Sequence, residues 1–298
     1  MIGEFEMTDV IIIGGGPAGV TAALYTSRAA LSTTILYKDH GALQTATVKN
    51  FYGHLEIGGK ELVNIGLKQA KSVGAKVAKQ EAVSIVQNQD GTFLVETTKA
   101  SHSAKAVLIA TGASRTTARI KGLSNLEGRG VSYCAICDGF FHKGKDVAVI
   151  GTGAYAQHEV QDLLGIAKSV TVLTNGKRAA VKFPENVTVI TQKISEIYAN
   201  SGIVGDILGG VTFANGEKLP LSGLFVALGV AGGTELARKI GAAIDSNAIS
   251  VNENMQTSVP NLWAAGDCTL GIKQIAKAVH DGAEAGMDIV RALKAAKK

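Results

Sequence analysis

Two cysteines three positions apart carry the clearest chemistry in the sequence. Cys134 and Cys137 form a Cys-x-x-Cys pair, and Asp138 and Gly139 follow it directly. Two thiols on one turn can form a readily reduced disulfide in which one thiol has a lowered pKa. A zinc site would need two more ligands at suitable spacing, whereas the third cysteine, Cys268, lies far away. We therefore predict a redox-active disulfide in preference to a metal site or two unrelated buried cysteines.

Asp138 adds a titratable group beside the thiols. Its carboxyl is placed to relay a proton to or from a thiolate, as general acid catalysis requires. An aspartate at such a position also commonly stabilises a turn, and the sequence leaves both roles open. Cys268 stands alone, so we predict a small buried residue there rather than a reactive thiol.

A glycine-rich turn near the N-terminus predicts a binding site of another kind. The motif Gly14-x-Gly16-x-x-Gly19 follows the apolar run Val10–Ile13 and precedes a helical segment, 20–30. This order is the fingerprint of a βαβ dinucleotide fold, in which the helix N-terminus holds a pyrophosphate. The alternative is a glycine-rich turn without a ligand, which the strand before it and the helix after it make the weaker interpretation.

A second turn of this type lies about one domain length further along the chain. The motif Gly151-x-Gly153-x-x-Ala156 follows the strand-like run 146–150 and opens a helical stretch, 156–166. The chain therefore contains two nucleotide-type folds, which is an internal duplication at the level of the fold.

Two further strands belong to the first of these folds. One ends in Thr111-Gly112, and the other, far downstream, ends in Gly266-Asp267 before a long helical segment. We therefore predict an α/β protein with two Rossmann-like, three-layer domains of the FAD/NAD(P)-binding type, the second inserted into the first. Residues 1–117 and 246–298 form the first domain, and residues 118–245 form the inserted domain that carries the cysteine pair.

Composition excludes several classes of protein. The chain has 298 residues, 46% hydrophobic and 18% charged, which indicates folded domains and not a disordered chain. No apolar run approaches the roughly 20 residues of a membrane helix, and without a targeting signal we expect a cytoplasmic location. The net charge is +5, but the cations are scattered and no basic stripe carries interleaved aromatics, so we expect no nucleic-acid partner.

The order of these motifs resembles that of the low-molecular-weight thioredoxin reductases, from Met7 onward. The stretch 128–141, which contains Cys-Ala-Ile-Cys-Asp-Gly-Phe-Phe, is highly specific for that family. The resemblance implies a flavoprotein, usually a homodimer, that reduces thioredoxin. It also implies that FAD is bound by Gly14, Gly16, Pro17, Ala18, Gly19, Gln44, Thr111, Gly112, Gly266, Asp267, Lys273 and Gln274.

The resemblance also implies individual roles. Asp267 would bond the ribityl chain of FAD, and Gln274 would lie near the flavin ring. Cys137 would exchange electrons with the flavin, and Cys134 would attack the disulfide of thioredoxin through a mixed disulfide. Many FAD proteins carry a glutamate for the adenosine ribose near Tyr37-Lys38-Asp39, and the sequence gives no residue for that role.

Departures from the family pattern concern the electron donor. NADPH-dependent members carry His-Arg-Arg after the strand that follows the second glycine motif, and this chain has 174–178, Thr-Asn-Gly-Lys-Arg. Tyr155 is also bulky for its place in that motif. Because a 2′-phosphate needs charge-assisted contacts, NADPH binding is doubtful, although Lys177 and Arg178 could serve from a shifted loop.

Asn175-Gly176 and Gly266-Asp267-Cys268-Thr269 resemble the pyridine-nucleotide-independent branch of the family, which takes electrons from reduced ferredoxin. A basic protein suits an acidic ferredoxin partner. We therefore favour ferredoxin as the donor. Three alternatives stay open: an NADPH-dependent reductase with an unusual loop, a flavin-dependent oxidase of a small dithiol, and a redox-gated interaction module.

Overall fold

The structure, a computed structural model, describes residues 7–38, 41–113, 120–202, 205–228 and 232–296. The chain divides into two compact units. The first unit contains residues 1–114 and 232–298, and the second unit contains residues 115–231. The first unit is thus built from both ends of the chain, with the second unit inserted between them.

The first unit is organised around a sheet in the strand order β5-β2-β1-β8-β7-β6, with β19 pairing with β8. Strands β5, β2, β1, β8 and β19 are parallel, and β6 and β7 are antiparallel. The elements are β1 (Thr8–Ile13), α1 (Pro17–Arg28), β2 (Thr33–Tyr37), β3 (Thr47–Val48), β4 (Ile57–Gly58), α2 (Gly59–Ser72), β5 (Lys76–Lys79), β6 (Ala82–Gln87), β7 (Phe93–Thr97), β8 (Ser101–Ile109), α5 (Gly233–Lys239), β17 (Ile244–Asp245), β18 (Ala248–Ile249), β19 (Leu262–Ala264) and α6 (Ile275–Ala295).

The central strand of this sheet shows why the sequence folds in this way. Val10, Ile11 and Ile12 of β1 are fully buried, as expected of a parallel strand that is covered on both faces. Val10 and Ile12 share a hydrophobic core with residues of the helices α1, α2 and α6. The apolar run predicted as a buried strand is therefore the centre of the first unit.

The second unit repeats the arrangement. Its parallel sheet has the order β12-β11-β10-β16-β9, and a separate antiparallel sheet has the order β13-β14-β15. The elements are β9 (Val131–Ser132), α3 (Ala135–Asp138), β10 (Asp146–Ile150), α4 (Ala154–Leu164), β11 (Ser169–Leu173), β12 (Thr188–Ile190), β13 (Ile194–Gly202), β14 (Gly205–Phe213), β15 (Lys218–Pro220) and β16 (Gly223–Val226). The prediction of two Rossmann-like α/β folds is confirmed.

The end of the insertion differs from the sequence expectation. The sequence places it at residue 245, whereas the second unit ends at residue 231. Helix α5 lies between these two positions and packs against β6 and β18, which are strands of the first unit. The sequence at 229–233, Gly-Val-Ala-Gly-Gly, gives no signal that distinguishes this change of unit from an ordinary turn.

One crossover of the second unit lacks a helix. Residues 174–187 join the parallel strands β11 and β12 and contain no helical turn, although a helix is the usual connection between parallel strands. This irregular segment, which contains two turns, lies directly after the strand where a pyridine-nucleotide phosphate would be recognised.

No helix in the described ranges is both long and apolar enough to cross a membrane.

Asp288 of α6 gives a test of how the first unit is held together. Its carboxylate accepts hydrogen bonds from Trp263 Nε1 at 3.0 Å and Gln256 Nε2 at 2.7 Å. Asp288→Ala would leave the buried indole N–H unpaired, which costs about 1–3 kcal/mol. We expect a lower urea midpoint, measured by the fluorescence of Trp263, the only tryptophan in the sequence.

Arg291→Ala is the matched control, because Arg291 also donates to Asp288, at 3.0 Å, but from a largely exposed position. Its midpoint should stay near that of the wild type. Equal losses in the two variants would contradict the account.

Candidate functional site

The two cysteines of the motif are joined by a disulfide, with Cα atoms 5.3 Å apart. Helix α3 begins directly after Cys134, and the backbone N–H of Cys137 donates to Cys134 Sγ at 3.2 Å. Cys134 is 1% exposed, whereas Cys137 lies on the surface. The predicted disulfide is therefore present, and in this conformation its outer sulfur is that of Cys137.

Asp138 is tied to the same turn. Ser132 Oγ donates to Asp138 Oδ2 at 2.6 Å and accepts a hydrogen bond from the backbone N–H of Cys134 at 3.0 Å. The carboxylate thus has the turn-stabilising role that the sequence left open, and its role as a proton relay stays a prediction. Ser132 is a site residue that the sequence analysis missed.

Two side chains of α4 contact the backbone on either side of Cys134. Tyr155 Oη donates to the carbonyl oxygen of Tyr133 at 2.9 Å. Glu159 Oε2 accepts a hydrogen bond from the backbone N–H of Ala135 at 2.7 Å. Both side chains are buried. In the sequence, Tyr155 is a bulky departure from the second glycine motif. The structure adds that its hydroxyl contacts the cysteine loop, for which the sequence has no local signal.

The same helix carries a group of side chains that resembles a metal site. Among the described residues, His158, Glu159 and Asp162 form a group whose ligand atoms all lie within 4.8 Å of one another. His158 Nδ1 already lies 3.1 Å from Asp162 Oδ2, and Glu159 holds Ala135. These contacts account for the group as part of the packing of α4.

The first glycine motif lies where β1 leads into α1. A Cβ at Gly14 would lie 2.0 Å from the carbonyl oxygen of Ala110, and a Cβ at Gly19 would lie 2.0 Å from that of Gly14. Gly16 instead has no neighbouring heavy atom within 4 Å of a Cβ position. The turn is therefore tightly packed on one side and open on the other, as a loop that receives a pyrophosphate must be.

The ends of β8 and β19 lie at the same edge of the sheet as this turn. The hydroxyl oxygen of Thr111 is buried and has no hydrogen-bond partner in the described part of the chain, which is unusual for a buried polar group. Gly112 follows with a positive φ of 81°. A ligand that accepts or donates a hydrogen bond there would remove the cost of the unpaired hydroxyl.

Asp267 lies in the turn after β19. Burial raises the pKa of its carboxyl above the usual value, and the cations of Lys273 and Lys277 offset part of this effect. An ion pair of α6 fixes the preceding residue: Gly266 N–H donates to Asp281 Oδ2 at 3.0 Å, and Lys277 Nζ donates to the Gly266 carbonyl oxygen at 3.0 Å. The sequence analysis did not identify this ion pair.

Lys273 and Gln274 follow in the same loop. Lys273 Nζ donates to the backbone carbonyl oxygen of Asp267 at 2.8 Å. Gln274 Oε1 accepts a hydrogen bond from Asn50 Nδ2 at 2.9 Å. Gln44 lies in a short 3₁₀ helix, Ala42–Thr45, of the same unit. Asn50 is therefore a second residue that the sequence analysis missed.

A carboxylate also lies near the end of β2. Glu81 forms an ion pair with Lys38, while its second oxygen, Oε1, is buried without a hydrogen-bond partner in the described ranges. Lys38 is the residue directly after β2, where a dinucleotide fold usually presents an acidic group to a ribose. No local pattern could have identified Glu81, because it reaches this place from a different strand connection.

Taken together, these features fit a dinucleotide cofactor such as FAD in the first unit. Parallel strands place the first glycine motif, Thr111-Gly112 and Gly266-Asp267 at one sheet edge. The open face of Gly16, the unpaired hydroxyl of Thr111 and the unpaired oxygen of Glu81 are features that such a ligand would complete.

Cys268 is not part of any thiol pair. Its Sγ donates to the carbonyl oxygens of Ile109 and Ala265, at 3.3 and 3.2 Å. Burial raises the pKa of the thiol to about 12. The prediction of a small buried residue is confirmed, and a thiol with this pKa is inert at neutral pH.

The second glycine motif is partly covered by its own chain. The backbone N–H of Ala180 donates to the carbonyl oxygen of Thr152, in the middle of the motif, at 2.7 Å. Gln157 Nε2 donates to the carbonyl oxygen of Lys182 at 2.7 Å. The segment 174–187 is thus fastened to the turn and to the first part of α4.

Comparison with known proteins gives a consistent result. A family model described as pyridine nucleotide-disulphide oxidoreductase matches residues 8–282. The thioredoxin reductase of Listeria monocytogenes serovar 1/2a is 34% identical over 304 residues, which cover 97% of this chain and 94% of that protein. The thioredoxin reductase of Bacillus subtilis (strain 168) is 33% identical over 300 residues, covering 96% and 95%.

Solved structures agree. The atypical thioredoxin reductase TRi from Desulfovibrio vulgaris Hildenborough superposes with a TM-score of 0.88 at 32% identity, covering 96% of this chain and 98% of that one. The ferredoxin-flavin thioredoxin reductase from Clostridium acetobutylicum gives 0.70 at 27% identity, covering 97% and 99%. The chain therefore belongs to the pyridine nucleotide-disulphide oxidoreductase family and is a flavin-dependent disulfide oxidoreductase of the thioredoxin reductase type.

Proposed function

We propose that this enzyme reduces the disulfide of thioredoxin with the dithiol of Cys134 and Cys137, and that its electrons come from reduced ferredoxin through FAD. The disulfide on α3, in a chain of the thioredoxin reductase type, is the observation that carries the proposal. Homodimeric assembly remains a prediction from the family resemblance, and a cytoplasmic location remains a prediction from the sequence.

FAD would be held by the first unit. The backbone of Gly14, Gly16, Pro17, Ala18 and Gly19 would bind the pyrophosphate at the N-terminus of α1. When bound, FAD supplies the two electrons that reduce the Cys134–Cys137 disulfide. The remaining contacts of the proposed site come from Gln44, Thr111, Gly112, Gly266, Asp267, Lys273, Gln274 and, at the adenosine ribose, Glu81.

Two thiols of the reduced enzyme then carry out disulfide exchange. The thiolate of Cys134 attacks one sulfur of the thioredoxin disulfide, and a mixed disulfide forms while the other thioredoxin sulfur leaves. Cys137 next attacks Cys134, which restores the enzyme disulfide and releases thioredoxin as a dithiol. In this step Asp138 would pass a proton to the leaving thiolate. Because Cys134 is 1% exposed, the proposal requires a movement that uncovers its sulfur.

The surface beside the disulfide suits a protein substrate. Phe140 and Phe141 follow α3 and are 71% and 72% exposed, and Ile136 between the cysteines is also exposed. Neighbouring exposed apolar side chains are typical of protein interaction sites. A small dithiol would not need this surface, so it favours reduction of a protein over oxidation of a small molecule.

The second unit supports a donor other than NADPH. The arginine pair that would neutralise a 2′-phosphate is absent, and Lys177 and Arg178 stand on a segment fastened to the glycine turn through Ala180. A phosphate dianion needs positioned cations. The similar structure from Clostridium acetobutylicum, a ferredoxin-flavin thioredoxin reductase, supports this choice.

NADPH remains the second candidate donor. The family model is named for pyridine nucleotides, and the relatives at 33–34% identity carry the name thioredoxin reductase without mention of ferredoxin. The two donors make opposite predictions for the reduction of the flavin.

Anaerobic reduction separates the donors. We expect the flavin absorbance of the purified protein to bleach with reduced ferredoxin and to stay unchanged with NADPH at equal concentration, because residues 174–178, Thr-Asn-Gly-Lys-Arg, lack the arginine pair that binds the 2′-phosphate in NADPH-dependent members. Bleaching by NADPH within the mixing time would overturn the ferredoxin proposal. Rapid reoxidation by oxygen coupled to oxidation of a small dithiol would instead favour an oxidase.

Two serine variants test the order of the thiols. Cys137→Ser should accumulate a covalent complex with thioredoxin, because no second thiol resolves the mixed disulfide. Cys134→Ser should form no complex and should lose reductase activity. Both are measured by non-reducing gel electrophoresis and mass spectrometry.

Cys268→Ser is the matched control, since the Cys268 thiol is buried with a pKa raised to about 12. It should keep the activity of the wild type. A trapped complex with Cys134→Ser and not with Cys137→Ser would show that the two roles are reversed.

A variant of Glu81 tests the cofactor site. Hydrogen bonds to charged groups contribute about 1.5–3 kcal/mol, so Glu81→Gln should bind FAD roughly tenfold or more weakly. The readout is flavin fluorescence as apoprotein is titrated with FAD and with an analogue that lacks the 2′-hydroxyl of the adenosine ribose.

The wild type should discriminate between FAD and the analogue more strongly than Glu81→Gln, because the amide oxygen of glutamine still accepts a hydrogen bond but carries no charge. The control is Glu185→Gln, because Glu185 is 92% exposed. Equal discrimination by the wild type and Glu81→Gln would remove Glu81 from the ribose site.

A further inference from the structure

Helix α4 directs two of its side chains to the backbone on either side of Cys134. In a dinucleotide fold the first turn of this helix faces the pyrophosphate of the ligand. Here Tyr155 lies in that first turn and Glu159 lies four residues later, so the two share one face of the helix. They are 2% and 1% exposed, respectively.

This face holds the backbone around Cys134. Tyr155 Oη donates to the carbonyl oxygen of Tyr133, at 2.9 Å, and Glu159 Oε2 accepts from the N–H of Ala135, at 2.7 Å. The N–H of Cys134 itself is held by Ser132 Oγ at 3.0 Å. One backbone polar group is therefore fixed in each of three successive residues, and two of these groups are fixed by α4.

Glu159 also acts on the charge of the thiols. Reduction of the Cys134–Cys137 disulfide consumes two electrons and two protons and gives two thiols. A Cys-x-x-Cys motif commonly lowers the pKa of one thiol to about 7 or below, so at neutral pH and above the reduced pair releases one proton again and carries a thiolate. Glu159 is joined to this turn through the N–H of Ala135. As a carboxylate it would disfavour an added negative charge on sulfur and have little effect on the neutral disulfide. Its charge therefore shifts the equilibrium toward the disulfide and makes the dithiol a stronger reductant.

We propose that Tyr155 and Glu159 are positioning residues that convert α4 from a nucleotide-holding helix into a holder of the redox turn, and that the charge of Glu159 increases the reducing power of the dithiol. The proposal rests on the proposed disulfide exchange at Cys134. It does not depend on the identity of the electron donor or on thioredoxin.

The test is the redox equilibrium of the cysteine pair in the flavin-loaded enzyme. The protein is equilibrated with dithiothreitol redox buffers, and the reduced fraction is read by thiol alkylation and mass spectrometry. Glu159→Gln keeps one oxygen that can accept the hydrogen bond from the N–H of Ala135, and it removes the negative charge. We expect its equilibrium constant to shift about tenfold toward the dithiol, which corresponds to about 30 mV.

Two variants separate charge from structure. Glu159→Asp keeps the charge and should stay within about threefold of the wild type, whereas the exposed control Glu185→Gln should not change the constant. An equilibrium constant of Glu159→Gln within twofold of the wild type would overturn the charge effect. If Glu159→Gln does not fold, the neutral variant Glu159→Met of similar size replaces it: a shift of about tenfold toward the dithiol supports the charge effect, and a constant within twofold of the wild type overturns it.

Tyr155→Phe tests the positioning role without a change of charge. Loss of its hydroxyl should speed amide hydrogen exchange across residues 133–138 about tenfold, because the carbonyl of Tyr133 loses its partner, while the redox equilibrium stays within threefold. Unchanged exchange would remove Tyr155 from the proposal. Failure of the enzyme to reduce thioredoxin would affect neither measurement, so the two proposals can fail separately.

Discussion

The carboxyl ends of β1, β8 and β19 lie side by side in one parallel sheet, and this constraint brings together the residues of the proposed cofactor site. Residues that are far apart in sequence, Gly16, Thr111 and Asp267, reach one edge because parallel strands all end there. The second unit uses the same constraint for β10 and β16. The two units thus share an architecture, and their chemistry differs in what lies beyond the strand ends.

At the sheet edge formed by the ends of β1, β8 and β19, polar groups are buried without the hydrogen bonds or solvent that usually stabilise them. Thr111 has a buried hydroxyl without a partner in the described chain, and burial raises the pKa of Asp267. The Lys277–Asp281 ion pair, with an Nζ–Oδ2 distance of 2.7 Å, fixes the backbone at Gly266 from both sides. A binding site needs such a support, because it holds the polar groups in position before the ligand binds.

Local patterns in the sequence predicted the parts of the molecule that depend on local physics. The glycine motif predicted a tight turn after β1, and the turn is tight because Gly14 and Gly19 have no room for a Cβ. The cysteine pair predicted a disulfide, which forms within one turn of the chain. Contacts between segments distant in sequence could not be read in this way. Glu81 forms its ion pair with Lys38 from another strand connection. Asn50 forms its hydrogen bond with Gln274, which lies 224 positions later in the sequence.

The second unit shows how a familiar motif can be put to another use. Its glycine turn and α4 follow the sequence pattern of a nucleotide fold, yet Tyr155 and Glu159 hold the redox turn and Ala180 covers Thr152. These contacts depend on which way side chains point, and a spacing motif carries no information about that. The proposed activity depends on the transfer of electrons between one flavin and the Cys134–Cys137 disulfide.

An anaerobic titration of the purified protein with dithionite tests this electron transfer directly. Full reduction should consume about four electrons per chain, two for the flavin and two for the disulfide, and a variant with both Cys134 and Cys137 replaced by serine should consume about two. A wild-type protein that takes up only two electrons would contradict the account, because the flavin and the cysteine pair would not exchange electrons.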